Sequence, residues 1–343
     1  MAISIKGQSK RIGLALSGGG FRAAAFHLGV FNKLNELALL DKLDLVSCVS
    51  GGSIAGGTLA VNWGNGQALN HLHNYLSTKS IAVASAIGGL IDPFESRLDK
   101  LAQAYDRDLF GGQRLRAVSG GPRIYFNATN LATGNMFFFA AGGNKPAEMG
   151  DHELGVAAAE DFLISRAVAA SSAFPPVFGP LRLDSNVYPP GAAVDYVTLA
   201  DGGIYDNMAV NPALRTQRNP LDYLIISDGG KPFSNRLAPT ESGAIVLKAS
   251  LDIMMEQIRG LEFDRIQHRH RAKLGPKPLW FSIDSRVGEA APGDATFASS
   301  ISTNLKRLRL EELTVLTRHG AALLQRRLES YAPELLPTST GKY

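Results

Sequence analysis

Between Arg11 and Val61 the chain runs twice through the same pattern of positions: a short apolar stretch, a cluster of glycines, then apolar residues at helical spacing. Ile12-Gly13-Leu14-Ala15-Leu16 reads as a buried strand and leads into Ser17-Gly18-Gly19-Gly20. Ala23 to Leu37 follows with Phe26, Val30, Leu34 and Leu37 on one helical face. Leu43 to Val49 is the second strand, ending at Ser50-Gly51-Gly52-Ser53, with a helix from Ile54 to Val61. Two strand–turn–helix units in succession predict a parallel sheet with helical crossovers, hence an α/β fold.

Further along, Arg123 to Thr129 and Asn135 to Ala140 read as strands of a hairpin around Gly134. Glu160 to Ser171 reads as a helix closed by Phe174-Pro175-Pro176, and Asp184 to Val194, with two prolines and a glycine, as a loop. Tyr196 to Ala200 and Asp222 to Ser227 are further short strands. Beyond Gly230 the pattern changes to long amphipathic segments, Ile245 to Arg271 and Asn304 to Tyr331. In the last, Leu305, Leu308, Leu316, Leu323 and Leu324 approximate one stripe. Lys277 to Ile283 is an edge-strand candidate. The expected organisation is one domain over 8–343, with a catalytic core over 10–235 and a mainly helical part over 236–335 packed on it.

Composition adds little to this picture and removes several alternatives. With 45% hydrophobic and 19% charged residues in 343, the chain has the makings of a globular core and not of a disordered one. The single cysteine, Cys48, leaves no intramolecular disulfide and no cysteine-rich zinc site, as a reducing cytosol permits. It sits in the strand before the second glycine cluster and reads as a small buried hydrophobe. The formal charge of +4 favours anionic partners without naming one, and no motif points to a nucleic-acid polymer. The amino terminus has no signal-peptide pattern, and no run reaches the roughly 18 apolar residues of a membrane span. The weakly polar stretch Ile81 to Ile91 reads as a buried helix.

Three elements carry chemistry. A serine on a tight turn between strand and helix projects its hydroxyl from the fold, and Gly51-Gly52-Ser53-Ile54-Ala55-Gly56 places Ser53 there as candidate nucleophile. The helix that follows turns its positive end toward developing negative charge. Ser17-Gly18-Gly19-Gly20-Phe21-Arg22 offers consecutive glycine N–H groups, suited to an oxyanion or a phosphate. The Walker pattern is absent, and Ala23 stands where a dinucleotide loop needs its third glycine. Asp201-Gly202-Gly203, after a strand, supplies a carboxylate that becomes a useful base if fixed beside the serine. Each is weak alone. Asp228-Gly229-Gly230 repeats the last tripeptide after another strand.

Taken in order, these elements resemble the patatin-like phospholipase family. Its Gly-Gly-Gly-x-Arg/Lys loop is matched by Gly18-Gly19-Gly20-Phe21-Arg22, and its Gly-x-Ser-x-Gly elbow by Gly51-Gly52-Ser53-Ile54-Ala55. Asp201-Gly202-Gly203 with Asp206-Asn207 and Asn211-Pro212 matches its aspartate block, which sets Asp201 ahead of Asp228. Ala169 to Pro176 resembles its Ala-Ser-x-Ala-x-Pro segment. The elbow departs from the pattern at Ala55, where many relatives carry glycine; Gly56 follows one place later.

The resemblance implies a three-layer α/β/α fold with a central, mostly parallel sheet and C-terminal helices packed on it. It implies a Ser53–Asp201 dyad, an oxyanion hole from Gly18, Gly19 and Gly20, and support from Gly51, Arg22 and Gly202. No catalytic histidine, metal or organic cofactor is needed, so His27 is expected to be a packed residue of the first helix. The implied reaction is hydrolysis of fatty-acyl esters in phospholipids or lysophospholipids, at a membrane surface contacted peripherally by a cytoplasmic protein. Met136 to Phe139 is an apolar candidate for such contact or ordinary core. One alternative keeps the fold and makes the chain an effector, in toxicity or antiphage defence, that degrades membranes only when switched on. The basic segment Arg259 to Lys273 would then receive a small anionic activator. A second alternative is a non-enzymatic anion-binding module built on the glycine loops.

Overall fold

The computed structural model describes residues 3–5, 7–81, 97–189, 194–233 and 243–337. Strands β1 (Ile3–Ile5) and β2 (Gln8–Lys10) form a small antiparallel ladder of their own. The apolar runs of the sequence become β3 (Ile12–Leu16) and β4 (Leu43–Cys48), which lie parallel to each other and to β5 (Arg123–Asn130). β6 (Met136–Gly142), β7 (Glu148–Asp151) and β8 (Gly155–Ala158) extend the sheet antiparallel, beginning with the hairpin around Gly134. β9 (Leu181–Leu183) pairs with β10 (Val197–Asp201). β11 (Tyr223–Asp228) and β12 (Lys277–Ser282) complete the parallel end, giving the order β12-β11-β3-β4-β5-β6-β7-β8 with β12 at the edge.

Helices cover both faces. In chain order they are α1 (Gly20–Glu36), α2 (Gly51–Val61), α3 (Ala68–Thr78), α4 (Arg97–Tyr105), α5 (Ile164–Ser171), α6 (Gly203–Asp206), α7 (Asn211–Leu214), α8 (Gly243–Arg271), α9 (Asp294–Ser300) and α10 (Leu310–Tyr331). Side chains alternate along each strand, so one sheet has two apolar faces. Leu14, Val46, Phe126 and Phe139 pack with α1, α2 and α10 in the larger core. Ala15, Leu45, Tyr125, Phe138 and Ile226 face the other way, onto Met208 to Leu214 and Ile266 of α8. The result is the expected three-layer α/β/α arrangement. Helix α10 lies so close to α1 that a Cβ on Gly29 would stand 2.0 Å from the Thr317 carbonyl oxygen.

Several expectations change at the element ends. The last helix starts at Leu310, not Asn304, because Glu312 accepts the Arg309 N–H at 2.8 Å and caps the helix there. Leu308 therefore lies before the helix; it is still buried, with its N–H donated to the Leu76 carbonyl. Helix α5 starts at Ile164, not Glu160. Met136 to Phe139 is buried in β6, which settles that stretch as core. Apart from Ile81, the stretch to Ile91 lies outside the described residues, as does 190–193 of the loop Asp184 to Val194. Among the described residues no helix is long and apolar enough to cross a membrane.

Candidate active site

The sharp turn between β4 and α2 falls on Ser50, three residues before the serine singled out from the sequence. Ser50 is half-buried and has φ 51° and ψ −115°, a conformation that costs a non-glycine residue about 1–3 kcal/mol. Its N–H is donated to Ser171, whose carbonyl oxygen and Oγ each lie at 3.1 Å. The glycines after it are required by proximity: a Cβ on Gly51 would meet Gly20 O at 2.2 Å, and one on Gly52 would meet Leu16 O at 2.2 Å. The elbow pattern is then Cys48-Val49-Ser50-Gly51-Gly52. Its closing glycine is present, and the departure moves from Ala55 to Cys48.

The expectation of an elbow at Ser53 is corrected accordingly. Ser53 lies inside α2, fully buried, with Oγ 2.8 Å from Ser171 Oγ. Ser171 has one hydroxyl proton and gives it to Asn127 O at 2.6 Å. Ser53 must therefore donate its own proton to Ser171. Its hydroxyl is committed to holding the residue that holds Ser50.

Asp201 reaches the elbow because β5 outruns β4. Cys48 at the end of β4 pairs with Phe126, and two residues on, Ala128 pairs with Asp201 from the antiparallel β10. The strand thus enters the sheet where β4 has turned away. Ser171 O also accepts the Gly202 N–H at 3.3 Å, so one carbonyl ties the elbow to the aspartate turn. Asp201 is 2% exposed, and burial pushes its carboxyl up to about 7, opposed by hydrogen bonds from the Gly203 N–H (2.7 Å) and the Ser50 hydroxyl. Gly202 gives close packing: a Cβ there would stand 2.3 Å from Asn127 O.

The glycine loop meets the same point from β3. The Gly18 N–H is donated to Asn207 O at 3.0 Å, so this amide is turned away from any oxyanion. Among the described residues the Gly19 and Gly20 amides have no carbonyl partner, and Gly51, first in α2, has none within its helix. Gly19 (φ 140°) and Gly20 (φ 60°) hold backbone conformations that residues with a side chain rarely adopt. Asn207 serves both sides, because its Oδ1 would meet a Cβ on Gly18 at 2.3 Å and one on Gly203 at 2.6 Å. Arg22 is fully buried and gives Nη1 to Ile301 O (2.9 Å) and Nη2 to Gly229 O (3.0 Å). Burial lowers it to about 10, opposed by Asp228, and its place is structural.

Asp228 is paired with Arg259, whose Nε lies 2.7 Å from its Oδ2. His27 is buried; its Nε2–H is donated to Ser17 O at 3.0 Å and its Nδ1 accepts the Ser227 hydroxyl at 2.8 Å. Burial lowers it to about 4, so it is a neutral, packed histidine as expected. Cys48 is buried in β4, and a Cβ on Gly56 would stand 2.3 Å from its Sγ. Among the described residues no cluster of His, Cys, Asp or Glu could hold a metal ion. Three residues of the site were not assigned a role from sequence: Ser50, Ser171 and Asn207. The signal for Ser50 was present, since the strand was read to end at Val49 and the elbow must follow directly.

A serine on a strand–elbow–helix turn, an aspartate turn and a glycine loop thus meet at one place on a three-layer α/β/α fold. The chain belongs to the patatin-like phospholipase family, whose model matches residues 14–214. Human GIVD cytosolic phospholipase A2 has a similar structure, with TM-score 0.61 and 14% identity over 95% of this chain and 62% of that one. Its complex with methyl gamma-linolenyl fluorophosphonate aligns with TM-score 0.58 and 14% identity, over 95% and 58% of the two chains. VipD from Legionella pneumophila aligns more loosely, with TM-score 0.41 and 15% identity over 94% and 67%. The chain thus spans under two thirds of the human structure's length, and the likeness shows the fold. No curated protein sequence matches significantly.

Proposed function

We propose that the chain is a lipid acyl hydrolase of the phospholipase A or lysophospholipase type, with Ser50 as nucleophile and Asp201 as its base. The observation that carries this reading is the position of Ser50: a strained turn residue, hydrogen-bonded to a buried carboxylate and adjoining the amides of Gly20 and Gly51. Asp201 takes the proton from Ser50 Oγ as that oxygen attacks the ester carbonyl. The amides of Gly19, Gly20 and Gly51 receive the oxyanion, favoured by the positive end of α2. Collapse breaks the ester bond, and the leaving alcohol takes the proton back from Asp201. Water, deprotonated by Asp201, then attacks the acyl-serine and releases the fatty acid, returning the proton to Ser50. Work at a lipid surface is supported by α8: Met255 Cε comes within 3.3 Å of a Cβ placed on Gly203, and Val246, Leu247, Ile253 and Met254 are exposed on the same helix.

The test is fatty-acid release from mixed phospholipid vesicles by wild type, Ser50→Ala, Ser53→Ala and Asp201→Asn, alongside labelling with methyl gamma-linolenyl fluorophosphonate. The reading requires release by wild type and Ser53→Ala only, with the label on the Ser50 peptide. A fully active Ser50→Ala would sink it. Wild-type release that needs an added ligand moves the chain to the switched effector, on the same dyad.

A further inference from the structure

A cavity of about 420 Å³ opens away from the serine, and none of Ser50, Asp201 or the glycine loop lines it. That volume lies in the usual range for small-molecule sites. Met136 and Phe138 of β6, Val156 of β8 and Leu214 of α7 make an apolar floor, while Arg215, Arg218 and Arg269 stand around it. The charge balance at this rim is decided by how each group is already engaged. Asp151, the one carboxylate of the lining, is buried and has its hydrogen bonds from neutral donors. Its Oδ2 accepts Asn130 Nδ2 (2.8 Å) and Thr133 Oγ1 (2.8 Å), and its Oδ1 accepts the N–H groups of Glu153 (2.9 Å) and Leu154 (2.7 Å).

The arginines differ from it and from one another. Arg269 gives Nη2 to the carbonyls of Leu214 (3.2 Å) and Leu274 (3.0 Å), so its guanidinium is fixed in place while its charge is uncompensated by these neutral groups. Arg218 is bonded to Glu148 and lies over the Phe138 ring, 5.1 Å from its centroid. Arg215 is exposed and, among the described residues, its guanidinium has no partner. With Arg218 offset by Glu148, Arg215 and Arg269 stand against the single Asp151, so the balance is positive at the margin of an apolar floor. A bare inorganic anion would leave that floor wetted; a neutral lipid would leave the arginines unused. Both features are satisfied by one molecule with an anionic head and an apolar body.

We propose that this cavity is a second ligand site, taking a small amphiphilic anion whose carboxylate or phosphate head meets Arg215 and Arg269 while its apolar body covers Phe138, Val156 and Leu214. A free fatty acid and a phosphate-headed lysolipid share that chemistry. That the fatty acid would be the protein's own product rests on the hydrolase reading; the site itself does not.

The experiment is calorimetric titration of the full chain carrying Ser50→Ala, so that turnover plays no part, with laurate below its micelle concentration, dodecyl phosphate and inorganic phosphate. Laurate or dodecyl phosphate is expected to bind, and inorganic phosphate at least tenfold more weakly. The relative affinity of the first two tells which head the site prefers. Adding Arg215→Glu should weaken amphiphile binding tenfold or more, and Val156→Asp, on an exposed edge-strand position, should do the same from the apolar side. Amphiphile binding that both variants leave unchanged would overturn the proposal, as would no binding by either amphiphile. Inorganic phosphate binding as tightly as dodecyl phosphate would overturn it as well. Because hydrolysis is not read, a failed catalytic assignment leaves these outcomes intact.

Discussion

The molecule contains the same tripeptide twice, at Asp201-Gly202-Gly203 and Asp228-Gly229-Gly230, each at the end of a strand. Both aspartates are buried, and both accept the N–H two residues on, Gly203 at 2.7 Å and Gly230 at 3.1 Å. Local structure therefore does not separate them. Their charge environment does. Asp228 faces Arg259 at 2.7 Å and Trp280 Nε1 at 3.4 Å, whereas the groups on Asp201 are a backbone N–H and a serine hydroxyl. The second turn also props the glycine loop: Gly229 N–H is donated to Ser17 Oγ at 2.8 Å and its carbonyl accepts Arg22. A carboxylate neutralised by a cation is a strut; one left without a cation can exchange a proton.

The largest effect should come from exchanging each acid for its amide. Asp201→Asn is expected to lower fatty-acid release by roughly 10³- to 10⁴-fold, the scale of losing a catalytic acid partner, with folding intact. Asp228→Asn should do the reverse, leaving release per folded molecule within several-fold while destabilising the protein by up to about 3 kcal/mol, because Arg259 loses its buried charge partner and keeps only the more exposed Glu256. Vesicle assays and urea titrations on both variants decide it. If Asp228→Asn abolishes release in a folded protein, the division of roles is wrong.

Titration offers a second way to separate the turns. Burial raises Asp201 from 3.8 to about 7, so between these values the folded state holds a proton that the unfolded chain has released. Stability must then fall as pH rises through that window, by up to about 4 kcal/mol from this group, while hydrolysis rises toward a plateau above 7 as the base ionises. Urea midpoints at pH 4, 5.5 and 8 should show this slope in wild type and in Asp228→Asn, and a flatter one in Asp201→Asn. An activity profile flat from pH 5 to 9 would contradict Asp201 as the base.

The serine and the aspartates differ in how far spacing along the chain can place them. The Asp201 block was legible because Asp201, Asp206-Asn207 and Asn211-Pro212 follow one another within a dozen residues. The serine was matched on a glycine spacing that fits both Ser53 and, with Cys48 in the first place, Ser50. What distinguishes them is backbone geometry and a proton count at Ser171, neither of which is written in spacing. Strand β10 entering beside β5, and α8 bringing Arg259 to Asp228, are long-range pairings of the same kind. The parallel sheet and its crossovers, by contrast, follow from local periodicity. Ser53→Ala tests the reading directly. It removes one hydroxyl from Ser171 and should cost about 1 kcal/mol in a urea titration, with release kept within tenfold of wild type.

The smallest effect is expected at a third buried acid arrangement, which lies in the first turn's own block and has its cation, Arg265, at one remove, with Nη1 donated to Asn211 Oδ1 at 3.2 Å. Asp206 accepts the Asn211 backbone N–H at 2.7 Å and its Nδ2 at 3.0 Å, and Glu262 of α8 approaches from the other side, bonded to the same Nδ2 at 2.7 Å. Burial first, then the charge and hydrogen bond of Asp206, push Glu262 up to about 11. Burial beside Asp206 thus favours the protonated form of Glu262, which would donate between the two carboxyls and link α8 to the aspartate block. Glutamine in its place keeps a neutral donor of nearly the same shape, so Glu262→Gln should change stability at pH 7 by less than about 1 kcal/mol. Glu262→Ala removes the donor and leaves a buried carboxylate short of a partner, at about 1–3 kcal/mol. A Glu262→Gln protein as unstable as Glu262→Ala would mean that Glu262 is ionised there, and that α8 is held to the block by charge, as Asp228 is held by Arg259.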